Sequence, residues 1–67
     1  MIKVEGSSNI AAIGYNKEER MLFVQFKSGP TYRYLDVPES EYLNLLHSQH
    51  VGDYFNHHIK HSYRYVR

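Results

Sequence analysis

Near the end of the chain, His57, Lys60, His61 and Arg64 fall at i, i+3, i+4 and i+7, and Arg67 follows three residues later. On a helix, that spacing gathers cationic and imidazole groups on one face. Such a row engages phosphate. Two of the four are histidines four apart, which is also how a helix offers two imidazoles to one metal ion. A metal asks for more: about four ligands when structural, or about three and a water when catalytic. His58 points elsewhere, His47 and His50 precede the helix, and no His-Glu-x-x-His occurs. No metal and no cofactor are therefore expected. The phosphate reading has a bland competitor. Asp53 shares the stripe, and acid at the start with base at the end of a helix also complements its dipole.

Catalysis finds no footing. Ser7, Ser8, Asp36 and a histidine assemble a triad only on paper, with no nucleophile elbow, phosphate loop or paired-carboxylate motif around them. The expectation is a protein that is not an enzyme. Net charge is +1 with neutral histidines, far from the strongly basic balance of an avid nucleic-acid binder. The distribution is less even. Residues 57–67 hold Lys60, Arg64, Arg67 and three histidines without an acid, while Asp36, Glu39, Glu41 and Asp53 come before. Protonating all five histidines carries the charge from +1 to +6, so polyanion binding through this segment should strengthen below about pH 6.5.

The elements that position these groups are short. Sixty-seven residues make one small domain over 1–67, burying on the order of 60% of its unfolded surface. There is no cysteine, so no disulfide supports it, and a reducing cytoplasm suits it. Seven tyrosines and three phenylalanines must supply much of the core. Neither a signal-like apolar run nor a stretch of roughly 20 apolar residues occurs, so a cytoplasmic protein away from membranes is expected.

Residues 1–6 read as frayed or a short edge strand, with the core over 7–63. Ile10 to Tyr15 reads as a first strand. Residues 20–27 form the clearest one, with Leu22, Val24 and Phe26 on one face and Met21, Phe23 and Gln25 on the other. After Gly29-Pro30, Thr31 to Leu35 forms a third. Pro38 suits a helix start, with Asp36 or Val37 near the cap and a core face of Tyr42, Leu45 and Leu46, running to about Ser48. A second helix begins near Val51, its apolar stripe holding Val51, Tyr54, Phe55, His58, Ile59 and Ser62. Gly52 in its first turn is costly unless close packing demands it. The tail from Tyr63 to Arg67 either extends this helix or runs extended. The fold class is α+β: a three-stranded antiparallel meander followed by two helices on one face.

An ordered set of short motifs spans Ser7 to Tyr63. It comprises Ser7-Ser8, Gly14-Tyr15, Leu22-x-Val24-x-Phe26, Gly29, the central Tyr32-x-Tyr34, Val37-Pro38, Tyr42, Gly52-x-Tyr54-Phe55-Asn56 and Ile59-Lys60. Together they resemble the KTSC domain, a small module named for the C-terminus of some lysyl-tRNA synthetases and also found alone in bacterial and phage proteins. His50 stands where the family often has a serine, a better helix cap than histidine; Ser48 or Gln49 is the alternative cap. The resemblance implies a role in RNA binding only by association with a tRNA synthetase.

Tyr32 and Tyr34, two apart, share one face of their strand. In one register they join Leu22 and Val24 under the helices. In the other they join Phe23 on the open face as a platform for unpaired bases. Arg33 takes the opposite face from the tyrosines. The favoured function is a small binding module for RNA or tRNA, using Arg33, His57, Lys60, His61, Arg64 and Arg67 on phosphate and exposed tyrosines for stacking. The competing class is a protein-interaction module or small phage or bacterial regulator, anchored by Met21, Phe23 and Leu35 on the uncovered sheet face. A monomer or a weak edge-to-edge dimer is expected.

Overall fold

Two turns set the register of the sheet. Asn16 Oδ1 accepts the Glu19 N–H at 3.1 Å, and Arg20 closes that turn in the left-handed region at φ 54°. In the next turn Gly29 sits at φ 121°, a conformation that suits glycine and few others. In the computed structural model, which describes residues 1–67, these turns join β2 (Ile10–Asn16), β3 (Met21–Phe26) and β4 (Thr31–Tyr34). Helix α1 (Glu39–Leu46) and helix α2 (Val51–Tyr54) come next, the latter continuing directly into a π-helical segment (Phe55–Ile59).

The sheet is five-stranded, not three. Each end of the chain adds a two-residue strand, β1 (Ile2–Lys3) and β5 (Tyr65–Val66), and the antiparallel order is β1-β2-β3-β4-β5. Ile2 pairs with Ile13, and Tyr65 pairs with Tyr34. These additions satisfy backbone groups that β2 and β4 would otherwise leave unpaired. The first residues are thus the edge strand rather than a frayed end, and Val4 lies within the core. The tail runs extended, held further by Leu35 N–H donating to Arg64 O at 2.8 Å.

The β3–β4 register pairs Leu22 with Tyr34 and Val24 with Tyr32, while Phe23 pairs with Arg33. Both motif tyrosines therefore lie on the helix-covered face. Tyr34 is 2% exposed and Tyr32 half-buried. The open-face alternative is overturned, because burying Leu22 and Val24 commits their cross-strand partners to the same side. Ala11 is an extra residue between Ile10 and Ala12, a bulge that lets both Ile10 and Ile13 be buried.

Both helical segments meet that same face. Tyr42 of α1 stacks on Tyr15 at 5.0 Å, and Phe55 packs edge-on against Phe26 and Tyr34 at 5.8 and 5.4 Å. Pro38 is the N-cap of α1 and no side chain caps it; Asp36 instead turns the chain at φ 57°. The helix stops at Leu46, short of Ser48. His50 is the N-cap of α2 without a side-chain bond, and Ser48 Oγ accepts the His50 N–H at 3.1 Å. Ser48 thus steadies the approach to the helix rather than its first turn. No helix is long and apolar enough to cross a membrane.

Gly52 has the close-packing reason that its position demands. A Cβ there would lie 3.0 Å from Ser7 Oγ and 3.2 Å from Asn9 Oδ1. Ser7 is buried, and its Oγ accepts the Ile10 N–H at 3.1 Å and the Asn9 N–H at 3.4 Å while donating to Asn9 Oδ1 at 3.0 Å. The loop before β2 is tied by one serine, and α2 leans on it.

Candidate nucleic-acid interface

The π-helical segment decides where the cationic residues go. Lys60 N–H donates to Phe55 O at 2.9 Å, an i→i+5 bond that widens the turn. Phe55 and Ile59 both enter the core. Widening rotates the residues after Ile59 away from the uninterrupted α-helical pattern, and the helix ends before Arg64. The expected stripe is therefore split. Lys60 and His61 face a cleft. His57 turns away, its Nδ1 2.9 Å from the Asp53 carbonyl oxygen, and Arg64 lies on the strand-ward tail. His58 is exposed and stacks on Tyr54 at 4.3 Å, so it caps the rim of the core without entering it.

The cleft measures about 400 Å³ and opens between the β4–β5 edge and the π-helical turn. Its wall is aromatic: Phe26, Tyr32, Tyr34, Phe55 and Tyr65. Tyr65 is 52% exposed and stacks on Tyr32 at 5.1 Å, with ring planes 19° apart. Lys60 and His61 form one rim, and the Arg67 guanidinium lies over the Tyr32 ring, 5.2 Å from its centroid. None of the lining residues is acidic.

Arg33 projects from the other face of β4, paired with Phe23 and Val66. Its Nη2 still reaches the Arg67 carbonyl at 3.3 Å, so it steadies the tail instead of joining the rim. The structure thus gathers Tyr32, Tyr34, Lys60, His61 and Arg67 and leaves Arg33, His57 and Arg64 outside. Sequence reasoning missed Tyr65, Asn9 and Asn56. Tyr65 stands two residues after Tyr63, a period-two signal too short to weigh. Asn56 follows a core phenylalanine, and Asn9 sits in a turn cluster; neither type stands out there.

The perturbed tyrosines hold the fold together. Burial, with Tyr65 and Tyr32 nearby, pushes the Tyr34 hydroxyl up to about 12. Burial raises Tyr42. Burial and the Glu41 carboxylate raise Tyr54 and Tyr63. Both of these hydroxyls donate to Glu41, that of Tyr63 at 3.2 Å, which ties α1 to the second helical segment and the tail. No group of three or more histidine, aspartate and glutamate side chains converges as a metal site would.

On the opposite face of the sheet, Met21 and Phe23 are half-buried. Met1 Cγ lies 2.9 Å from where a Gly14 Cβ would stand, and Val66 is 41% exposed. Leu35 is half-buried just beyond β4.

Known proteins place this architecture. A protein of Stutzerimonas stutzeri is 40% identical over 62 residues, covering 91% of this chain and 87% of the relative. A protein of Tsukamurella paurometabola is 37% identical over 60 residues, covering 90% of each. The crystal structure of the KTSC domain protein YPO2434 from Yersinia pestis superposes with a TM-score of 0.91 at 37% identity, over 97% of this chain and 90% of that one. The KTSC domain pattern itself matches residues 6–63. With sequence, fold and motif order in agreement over nearly its full length, the chain belongs to the KTSC domain family.

Proposed function

We propose that this KTSC domain is a non-enzymatic module that binds single-stranded RNA, or an unpaired segment of a tRNA, in the cleft between β5 and the π-helical turn. The observation that carries the reading is the pairing of an aromatic wall, open to solvent at Tyr65, with a cationic, acid-free rim. Stacking on aromatic rings supplies affinity for any unpaired base, and cations on the rim hold the backbone. The modest net charge suits a weak accessory contact, acting as a monomer or weak dimer in the cytoplasm.

Fluorescence anisotropy with a labelled single-stranded RNA tests it. Two phosphate contacts, from Lys60 and Arg67, would give a log–log salt slope of about −1.4, or about 7-fold weaker binding at 200 mM than at 50 mM salt. Lys60→Glu should weaken binding further at 50 mM. Salt-independent affinity, or none at 50 mM salt, would refute the reading.

A second reading rests on the helix-free face, where Met21 and Phe23 lie beside exposed Met1 and Val66. It makes that face an anchor for a protein partner. Such binding would respond little to salt and would be lost in Phe23→Ser.

A further inference from the structure

Asn9 and Asn56 line both the aromatic cleft and a second, wholly polar cavity of about 180 Å³, so they form the partition between the two. The orientation of Asn9 is determined by its neighbour. Ser7 Oγ accepts two backbone N–H bonds, so its proton must go to Asn9 Oδ1. That oxygen faces Gly52, 3.2 Å from where a Cβ would stand. The carbonyl end of Asn9 is therefore engaged on the polar side, and its NH₂ is left as a donor. Asn56 is exposed and offers both its donor and its acceptor.

We infer that the cleft holds a single unpaired nucleotide, its base against the Tyr32–Tyr65 wall, its edge read by Asn9 and Asn56, and its phosphate held by Lys60 and His61. This rests on the RNA-binding reading and names the unit bound and the residues that select it. The NH₂ of Asn9, fixed as a donor, favours the Asn56 oxygen on its side over a second NH₂, and in that orientation the amides present donor, acceptor and donor. The complementary edge reads acceptor, donor, acceptor. Uracil offers this with O4, N3–H and O2, and adenine with N7, N6–H and N1. Cytosine, which begins with the N4 donor, does not match. The volume of the cleft suits one nucleotide rather than a run of bases. Charge complementarity points the same way, since the rim is cationic and no acid faces the ligand.

The test uses four fluorescein-labelled RNA hexamers of equal charge at 50 mM salt: oligo(U), oligo(A), oligo(C) and a fully abasic ribose-phosphate chain. The full chain should bind oligo(U) and oligo(A) about 10-fold tighter than oligo(C), and the abasic chain weakest of all. Asn56→Ala, at an exposed position, should remove the preference for uracil and adenine. Asn9→Ala should lower it in the same direction, its fold checked by circular dichroism. Lys60→Ala should weaken all four hexamers by a similar factor. Equal binding of oligo(U) and oligo(C), or an unchanged preference in Asn56→Ala, would overturn the inference while leaving RNA binding standing. Failure of every hexamer to bind would sink both.

Discussion

Single side chains carry more than their size suggests. Ser7 accepts a buried backbone N–H, orients Asn9 and abuts Gly52. Ser7→Ala should cost about 1–3 kcal/mol, because the Ile10 N–H would be left without an acceptor. In a helix, glycine to alanine ordinarily gains about 1 kcal/mol. Gly52→Ala should instead lower the melting temperature, since the serine it meets is held by two N–H groups and cannot retreat. Combined with Ser7→Ala, the same substitution should cost less than it does alone. Thermal unfolding of the two single variants and the double variant measures the coupling; strict additivity would remove the contact from the account. Glu41 is the second such residue. Glu41→Gln should bring the Tyr54 and Tyr63 hydroxyls down toward the ordinary tyrosine value while burial holds them above it. A spectrophotometric tyrosine titration shows this as two groups moving to lower pH.

Among the elements, those with a long repeat were legible and those set by tertiary contacts were not. Leu22, Val24 and Phe26 alternate over six residues, and β3 lies where they put it. The pairing of that strand with β4 then settled which side Tyr32 and Tyr34 occupy. Two-residue strands have no period to read, so β1 and β5 needed the neighbouring backbone to define them. The π-helical turn was invisible for a related reason. The spacing of His57, Lys60, His61 and Arg64 is a sound α-helical stripe, and only the fit of Phe55 and Ile59 into the core widens the turn and divides it. The cleft was legible in part. Its tyrosine motif and Lys60 with His61 stood out, whereas Tyr65 and the two asparagines came together only through the sheet edge and the helix rotation. Phe55 joins these pieces, packing against both Phe26 and Tyr34. Phe55→Ala should cost about 3–5 kcal/mol, much of the total stability expected of a chain this short. In urea titration it should shift the midpoint to near zero denaturant; a shift under a quarter of the wild-type midpoint would contradict this packing.

At the scale of the molecule, Tyr34 lies within an otherwise aliphatic and phenylalanine core, with Tyr42, Tyr54 and Tyr63 packed against it, and these tyrosines set the response to pH. Tyr34 has a folded pKa raised to about 12 from 10. Folding therefore favours its protonated form. The stability it contributes is fully present below pH 10 and is lost as pH rises from 10 through 12. Tyr42, Tyr54 and Tyr63 shift in the same direction. Chemical denaturation should give a steady free energy through neutral pH and a steep decline above about pH 10. The central claim is that recognition belongs to the helix-covered edge of the sheet and not to its bare face. NMR chemical-shift mapping with a short single-stranded RNA tests that claim most directly. Shifts centred on Asn9, Tyr32, Asn56, Lys60, His61 and Tyr65 are the predicted result. Shifts confined to Met21, Phe23 and Val66, or none at saturating RNA, would contradict it.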